Sequence, residues 1–459
     1  MRSALNYSLL IIFCALIAGK MQAVDTVSLQ KLPQGIHSII EVKELDTYLL
    51  ELDNGMRVAL KHSKTEDDVY VRLTALGGFS SLPSSQIAGG VLSPQIAIRS
   101  GLGNYGFDQF YAALYENNVD IDASVQPFSR SLEGATEPEH LDFLLGLINS
   151  YFTKHVYTKD AFHKVLEKEK AKVSARGKDS TKYFNEQFLS FNSQDYAPFR
   201  PLKDYDLDAV DFNVSKEFFD NAFSDPSSFV TVIVGPFDQN QVYEEVARHL
   251  ATIPQVKEKK LPLPQSLPKI VGIKSKVVND VNYAAGSITR ITIPVQGDVT
   301  EDSIDGIEAI AHLLNIRLRN RVAELYPSDN VMVNVNLEFP LYPNLSSAWI
   351  TAQFITGSEK VAPVGKSILA EIKRLQLEGM TDDEITSLRK KIRKNQKLWQ
   401  KDNNYWVMVL SNYMLWDWNP KNIKYRYRNK SYLQKSELSK LVKTKIDLNH
   451  YTIFSAQDQ

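Results

Sequence analysis

The sequence predicts an α+β protein made of two similar units, and three observations carry that expectation. The chain has 459 residues, more than one ordinary core holds. A proline-rich stretch near the middle interrupts the hydrophobic periodicity. Beyond it the same order of strand-like and helix-like patterns begins again.

The chain opens with MRSALNYSLLIIFCALIAGKMQAVD, which reads as a secretory signal over residues 1–23. Arg2 supplies the positive start, Leu9 to Ile17 the apolar core, and Ala23 the cleavage point. A retained membrane anchor is the alternative, although the apolar run is short for a bilayer. The single cysteine, Cys14, lies inside this segment, so the mature chain has neither a disulfide nor a thiolate metal site. A cysteine-free exported chain suits a bacterial periplasm. The sequons at Asn213, Asn344 and Asn429 point weakly the other way. No membrane span is expected after cleavage.

Residues 24–253 form the first expected unit. In YLLELDNGMRVALKH an Asn54-Gly55 pair between two apolar runs predicts a hairpin with a type I′ turn. DVYVRLTALGG is a third strand. FDQFYAALYENN repeats at helical spacing. DIDASVQPFSRSLEGAT reads as two short strands. TEPEHLDFLLGLINSYF begins with Thr136 and Glu139 at capping-box spacing. TKDAFHKVLEKEKAKVSAR is an amphipathic helix, SSFVTVIVGPF a central strand, and QNQVYEEVARHLATI a closing helix.

Residues 254–270 are the linker, with four prolines in PQVKEKKLPLPQSLP. Residues 271–459 form the second unit. GSITRITIPVQG is a strand and SIDGIEAIAHLLNIRLRNRVAEL a long helix. NVMVNVNLEF and SAWITAQFIT are paired strands, and VAPVGKSILAEIKRLQLEG is a helix. MTDDEITSLRKKIRKNQKLWQ is another, with Thr381 and Glu384 as its capping box.

Composition excludes some functions. Net charge is −1 and charged residues make up 23%, which offers nothing to nucleic acid or an acidic surface. The basic-aromatic run Tyr425, Arg426, Tyr427, Arg428 is therefore read as part of an interface or core. No phosphate loop, dinucleotide fingerprint or nucleophile elbow is present. None of the eight histidines pairs with another ligand type at clean metal spacing. His155 and His163 near Asp160 read as surface chemistry, and Glu137-Pro138-Glu139-His140 as a capped helix start.

Five stretches carry a resemblance: LDNGMRVALKH, ALGGFSS, LEGATEPEHLDFLLGLINSYFT, FVTVIVGPFD and LLNIRLRNRV. In their order and spacing the chain resembles the M16 zinc peptidases (the pitrilysin and processing-peptidase clan), and within them the second, metal-free half of the large periplasmic members. The likeness covers roughly residues 45–455. It implies two M16-type, LuxS/metallohydrolase-like domains forming half of a clamshell around unfolded peptide.

The family's zinc half carries H-x-x-E-H on a helix. Residues four apart share a helix face, so both histidines reach one zinc, and the glutamate serves as general base. The resemblance places Leu92 and Ile96 at the histidine positions and Gln95 at the glutamate, after Gly89. Leucine and isoleucine cannot ligate, and glutamine has no basic carboxylate. Glu167 and Glu169 stand on the later helix without a histidine partner. The family's second half binds the substrate carbonyl with an arginine and a tyrosine seven residues on. Aligned without gaps these positions are Ala323 and Asn330. In another register they are Arg319 and Tyr326, the candidate substrate-binding pair.

The expectation is a metal-free M16 subunit of the cell envelope, with no cofactor of its own. A zinc-bearing M16 chain would be its partner, or it would self-associate. The alternative is a degenerate scaffold or peptide-binding protein. An active zinc peptidase conflicts with Leu92, Gln95 and Ile96.

Overall fold

The computed structural model describes residues 32–176, 179–256, 267–279, 286–329, 331–418, 423 and 433–457. The expected signal segment, much of the linker, Asn330, Asn429 and the run Tyr425–Arg428 lie outside the described residues. Two mixed sheets organise the chain. The first has seven strands: β1 (Ile36–Val42), β2 (Thr47–Leu52), β3 (Arg57–His62), β4 (Val69–Leu76), β5 (Val119–Val125), β6 (Ser129–Thr136) and β7 (Phe229–Gly235). Their order is β1-β2-β3-β7-β4-β6-β5. The second has β8 (Ile273–Val278), β9 (Ser287–Pro294), β10 (Met332–Glu338), β11 (Trp349–Thr356) and β12 (Tyr451–Ala456), in the order β10-β11-β9-β12-β8.

The first half contains helices α1 (Ile87–Ser100), α2 (Phe107–Glu116), α3 (Leu141–Thr153), α4 (Lys159–Ser174), α5 (Ser180–Asn192), α6 (Asp204–Asp208), α7 (Phe212–Ala222) and α8 (Gln239–His249). The second half contains α9 (Glu301–Leu325), α10 (Val361–Glu378), α11 (Asp382–Trp399), α12 (Asn403–Leu415) and α13 (Lys435–Lys445). The expected central strand is β7. It runs between β3, in parallel, and β4, antiparallel, and all seven of its residues are buried.

Five strands of the first sheet, β3-β7-β4-β6-β5, repeat in the second as β8-β12-β9-β11-β10, and one cross-strand row corresponds position by position. Arg72-Leu73-Thr74 of β4 corresponds to Arg290-Ile291-Thr292 of β9. In the first sheet Arg72 lies opposite Glu133, which lies opposite Asp122. In the second Arg290 lies opposite Gln353, which lies opposite Asn334. The arginine engages its neighbour in both: Arg72 Nη2 is 2.8 Å from Glu133 Oε1, and Arg290 Nε donates to Gln353 Oε1 at 2.8 Å. The carboxylates of one row are amides in the other.

Each sheet packs helices of its own half on one face and a single helix of the other half on the opposite face. Leu144, Leu145 and Ile148 of α3 and Val242 and Val246 of α8 join the first core, while α9, α10, α11 and α13 build the second. On its far face the first sheet offers Ala59, Val230, Val232 and Val234 to Trp406, Val407, Leu410 and Tyr413 of α12. The second sheet offers Phe454, Ile288 and Ala456 to Phe184 and Phe188 of α5. Burying each such aromatic contributes about 1.5–3 kcal/mol, so this exchange ties the halves together strongly.

Two local expectations are corrected. The hairpin turn at Asp53-Asn54-Gly55 is not type I′, because only Gly55 takes positive φ (83°) and Asn54 stays negative. Its Gly55 N–H donates to Leu52 O at 2.8 Å. Asn54 is held by its side chain: Nδ2 donates to Leu250 O (2.8 Å) and Ile253 O (3.0 Å), and Oδ1 accepts from Met56 N–H. The Thr136–Glu139 capping box does not form. Thr136 ends β6 and donates to Asn118 O, and a short 3-10 turn over Pro138–His140 precedes α3. The box at Thr381 does form, with Glu384 N–H donating to Thr381 Oγ1 and Thr381 N–H to Glu384 Oε2.

Lys61 of β3 is enclosed beneath α12. Its Nζ donates to Leu45 O at 2.6 Å and sits 4.3 Å from the Trp406 ring centre. Burial holds its pKa below the ordinary 10.5, against the opposing pull of Asp46. A lowered folded pKa means that the folded state is penalised wherever the amine is charged. The stability this group withholds returns as pH climbs from the folded pKa toward 10.5. Melting curves of the wild type and Lys61→Met should therefore converge in favour of the wild type as pH rises from neutral toward 10.5. A gap independent of pH would contradict the assignment.

Candidate functional site

The helix that the resemblance singles out is α1. Its first turn contains Gly89 and Gly90, and Gly90 has a packing reason. A Cβ on Gly90 would stand 2.7 Å from Leu82 Cδ1 and 2.8 Å from Phe79 Cβ. At Gly89 the carbonyl accepts a hydrogen bond from Ser215 Oγ of α7 at 2.7 Å, and Ser215 Oγ is 2.7 Å from Tyr157 Oη. Burial pushes the Tyr157 phenol well above its ordinary pKa, so it stays neutral. Pro94 lies mid-helix and removes the N–H that would serve Gly90 O, and Ser93 Oγ donates to that carbonyl instead at 2.9 Å.

Leu92 and Ile96 point into the first core, at 1% and 0% exposure. Gln95, between them in sequence, is exposed. This is the helical geometry of i and i+4 on one face, but the face is apolar and covered. Glu167 of α4 is exposed, and Glu169 pairs with Lys172 at 2.7 Å. The donor set that zinc requires is therefore absent from this position: two buried hydrocarbons and an amide do not fit a divalent cation.

Arg319 and Tyr326 lie two turns apart on α9 and engage different neighbours. Arg319 Nε donates to Val333 O at 2.9 Å, and its Nη2 reaches Asn334 Oδ1 at 3.3 Å. Asn315 Oδ1 accepts from Val335 N–H at 3.3 Å. Together Asn315 and Arg319 satisfy outward backbone groups of β10, the edge of the second sheet. Tyr326 caps α9, with its Oη 3.1 Å from Ser367 Oγ of α10. Ala323, from the gapless register, is exposed on α9. At β5, an edge strand of the first sheet, α1 packs alongside and the Asp122 carboxylate accepts a hydrogen bond from the Ala123 backbone N–H.

Two histidines pair with aspartates. His155 Nε2 is 2.8 Å from Asp220, and His249 Nε2 is 2.7 Å from Asp142. Glu137, Glu139 and His140 bring ligand atoms within 4.8 Å of one another, the only such trio among the described residues. It sits at the surface, and Asn118 Nδ2 donates to Glu137 there. One spacing was missed in the sequence: Glu308 and His312, four apart on α9, stand 3.8 Å from each other. They line a cleft of about 570 Å³ between α9, α11 and α12. Helical spacing alone could have flagged the pair. The cleft exists only because α12 returns across the first sheet.

Comparisons with known proteins agree with this geometry. Residues 209–392 match the family described as "Peptidase M16 inactive domain". A relative in Arabidopsis thaliana, "Zinc protease PQQL-like", is 24% identical over 400 residues, covering 83% of this chain and 39% of that protein. The periplasmic protease PqqL of Escherichia coli superposes with a TM-score of 0.76 at 16% identity, covering 99% of this chain and 51% of that one. A peptidase M16 inactive domain from Pseudomonas fluorescens gives 0.75 at 12% identity, covering 90% and 98%. The chain thus spans about half or less of the PqqL-type relatives. No helix among the described residues is long and apolar enough to cross a membrane.

Proposed function

We propose that this chain, a member of the M16 peptidase family that corresponds to its inactive half, forms the metal-free wall of a peptide-degrading chamber in the cell envelope. A separate zinc-bearing M16 chain would supply hydrolysis. The observation that carries this reading is the state of α1: its two ligand positions are filled by core residues, while the surrounding architecture is kept. The division into units 24–253 and 271–459, and a periplasmic address through residues 1–23, belong to the same proposal. An unfolded peptide would be held by strand addition at β5, an edge of the first sheet beside α1. Arg319 and Tyr326 remain its carbonyl-binding pair, with Arg319 also bracing β10.

The test is a gentle pull-down of the tagged mature chain from its own cell envelope. A stoichiometric partner bearing H-x-x-E-H, with peptidase activity that needs both chains, is expected. Self-association alone, without zinc or cleavage of unfolded peptide, would leave the scaffold reading in its place.

A further inference from the structure

The cleft between α9, α11 and α12 is not used by any step above. Its volume, about 570 Å³, falls within the range of pockets that enclose small ligands, roughly 300–1,000 Å³. Its walls are apolar and aromatic, with Trp399, Tyr413 and Trp418 among them and Met408 at 42% exposure. Aromatic faces attract cations as well as apolar groups. No lysine or arginine lines the cleft among the described residues. Among the described residues, Glu308, 44% exposed, has only the long 3.8 Å approach to His312. A wall of this kind favours positive charge beside bulk and repels carboxylates.

We propose that this cleft binds a peptide segment carrying a bulky aromatic or aliphatic side chain next to a lysine or arginine. The proposal rests on the peptide-handling reading above and gives it a substrate class. The apolar side chain would enter among Trp399, Tyr413 and Trp418. Its basic neighbour would stay at the mouth, against Glu308 and the aromatic faces.

Two tryptophans in the wall supply the readout. The purified full chain is titrated with a blocked tetrapeptide alternating lysine and phenylalanine, and with its glutamate–phenylalanine counterpart, while tryptophan emission is followed. A saturable change is expected with the basic peptide, about tenfold tighter than with the acidic one. Met408→Arg, at an exposed position, should weaken it by about tenfold, and Glu308→Gln by a smaller factor with the fold intact by circular dichroism. No saturable change, equal affinity for both peptides, or binding indifferent to both variants overturns the proposal. So does emission that follows protein concentration alone, which assigns the cleft to a second copy. Emission that shifts only in Arg426→Glu/Arg428→Glu assigns it to this chain's own basic run, with the same consequence. Partner-dependent cleavage that survives in Met408→Arg, beside a failed titration, removes the cleft and leaves the chamber reading. A successful titration without any zinc-bearing partner does the reverse.

Discussion

Restoring the zinc motif through Leu92→His, Gln95→Glu and Ile96→His is expected to unfold much of the protein rather than create a peptidase. Leu92 and Ile96 are 1% and 0% exposed in a continuous core. Each exchange removes packed hydrocarbon and buries imidazole without a partner, for a cost of about 2–4 kcal/mol per site. The pair would consume about 4–8 kcal/mol, comparable with the whole stability of a typical domain. Gln95→Glu alone, on the exposed side of α1, should change stability by less than about 0.5 kcal/mol. Urea unfolding of the single and triple variants separates these effects. A triple variant as stable as the wild type would show that the two positions face a site still open to donors.

Arg317→Ala should be comparably damaging, far from α1. The guanidinium is 10% exposed and joins three helices. Its Nε and Nη2 donate to Glu384 of α11 at 2.5 and 2.8 Å, Nη2 also to Gly379 O, and Nη1 lies 3.4 Å from Glu371 of α10. Glu371 is itself only 3% exposed. Removing the cation leaves buried Glu371 with Arg374 and Glu384 with Thr381 N–H as their remaining partners, at about 3 kcal/mol. Burial alone would raise the Glu384 pKa, but hydrogen bonds from Arg317 and from Thr381 N–H prevail and hold it below 4.5. A depressed carboxylate pKa contributes stability that is present above pH 4.5 and disappears as pH falls through the folded value. The cost of Arg317→Ala should therefore shrink in acid. Denaturant midpoints for both proteins at pH 7 and near pH 4 test both the size and the sign.

Much of this protein was decided by the chain alone. The β-rich run around Val230, Val232 and Val234 can only be a strand buried on both faces, because no polar face is available to meet water. Residue chemistry likewise settled that Leu92, Gln95 and Ile96 cannot hold zinc, before any fold was known. The repeat was legible in the recurring order of patterns, although the matched rows through Arg72 and Arg290 needed the strand register to appear.

Other features were decided only by tertiary contacts. Periodicity marks an apolar helix face but does not say which sheet it covers. The helix α12 has little one-sided pattern because it is contacted on two sides: Trp406, Leu410 and Tyr413 meet the first sheet, and Met408 faces the cleft. Helix α5 and the strands β8 and β12 have weak local signals and are held by Phe454 and its ring of phenylalanines. The turn at Asn54 was set by carbonyls almost 200 residues away, at Leu250 and Ile253, which outweigh the local preference of an Asn-Gly pair. Sequence specifies which residues must leave water and which cannot bind a metal. The choice of partner for each buried face depends on shape, and that is known only once the chain has closed on itself.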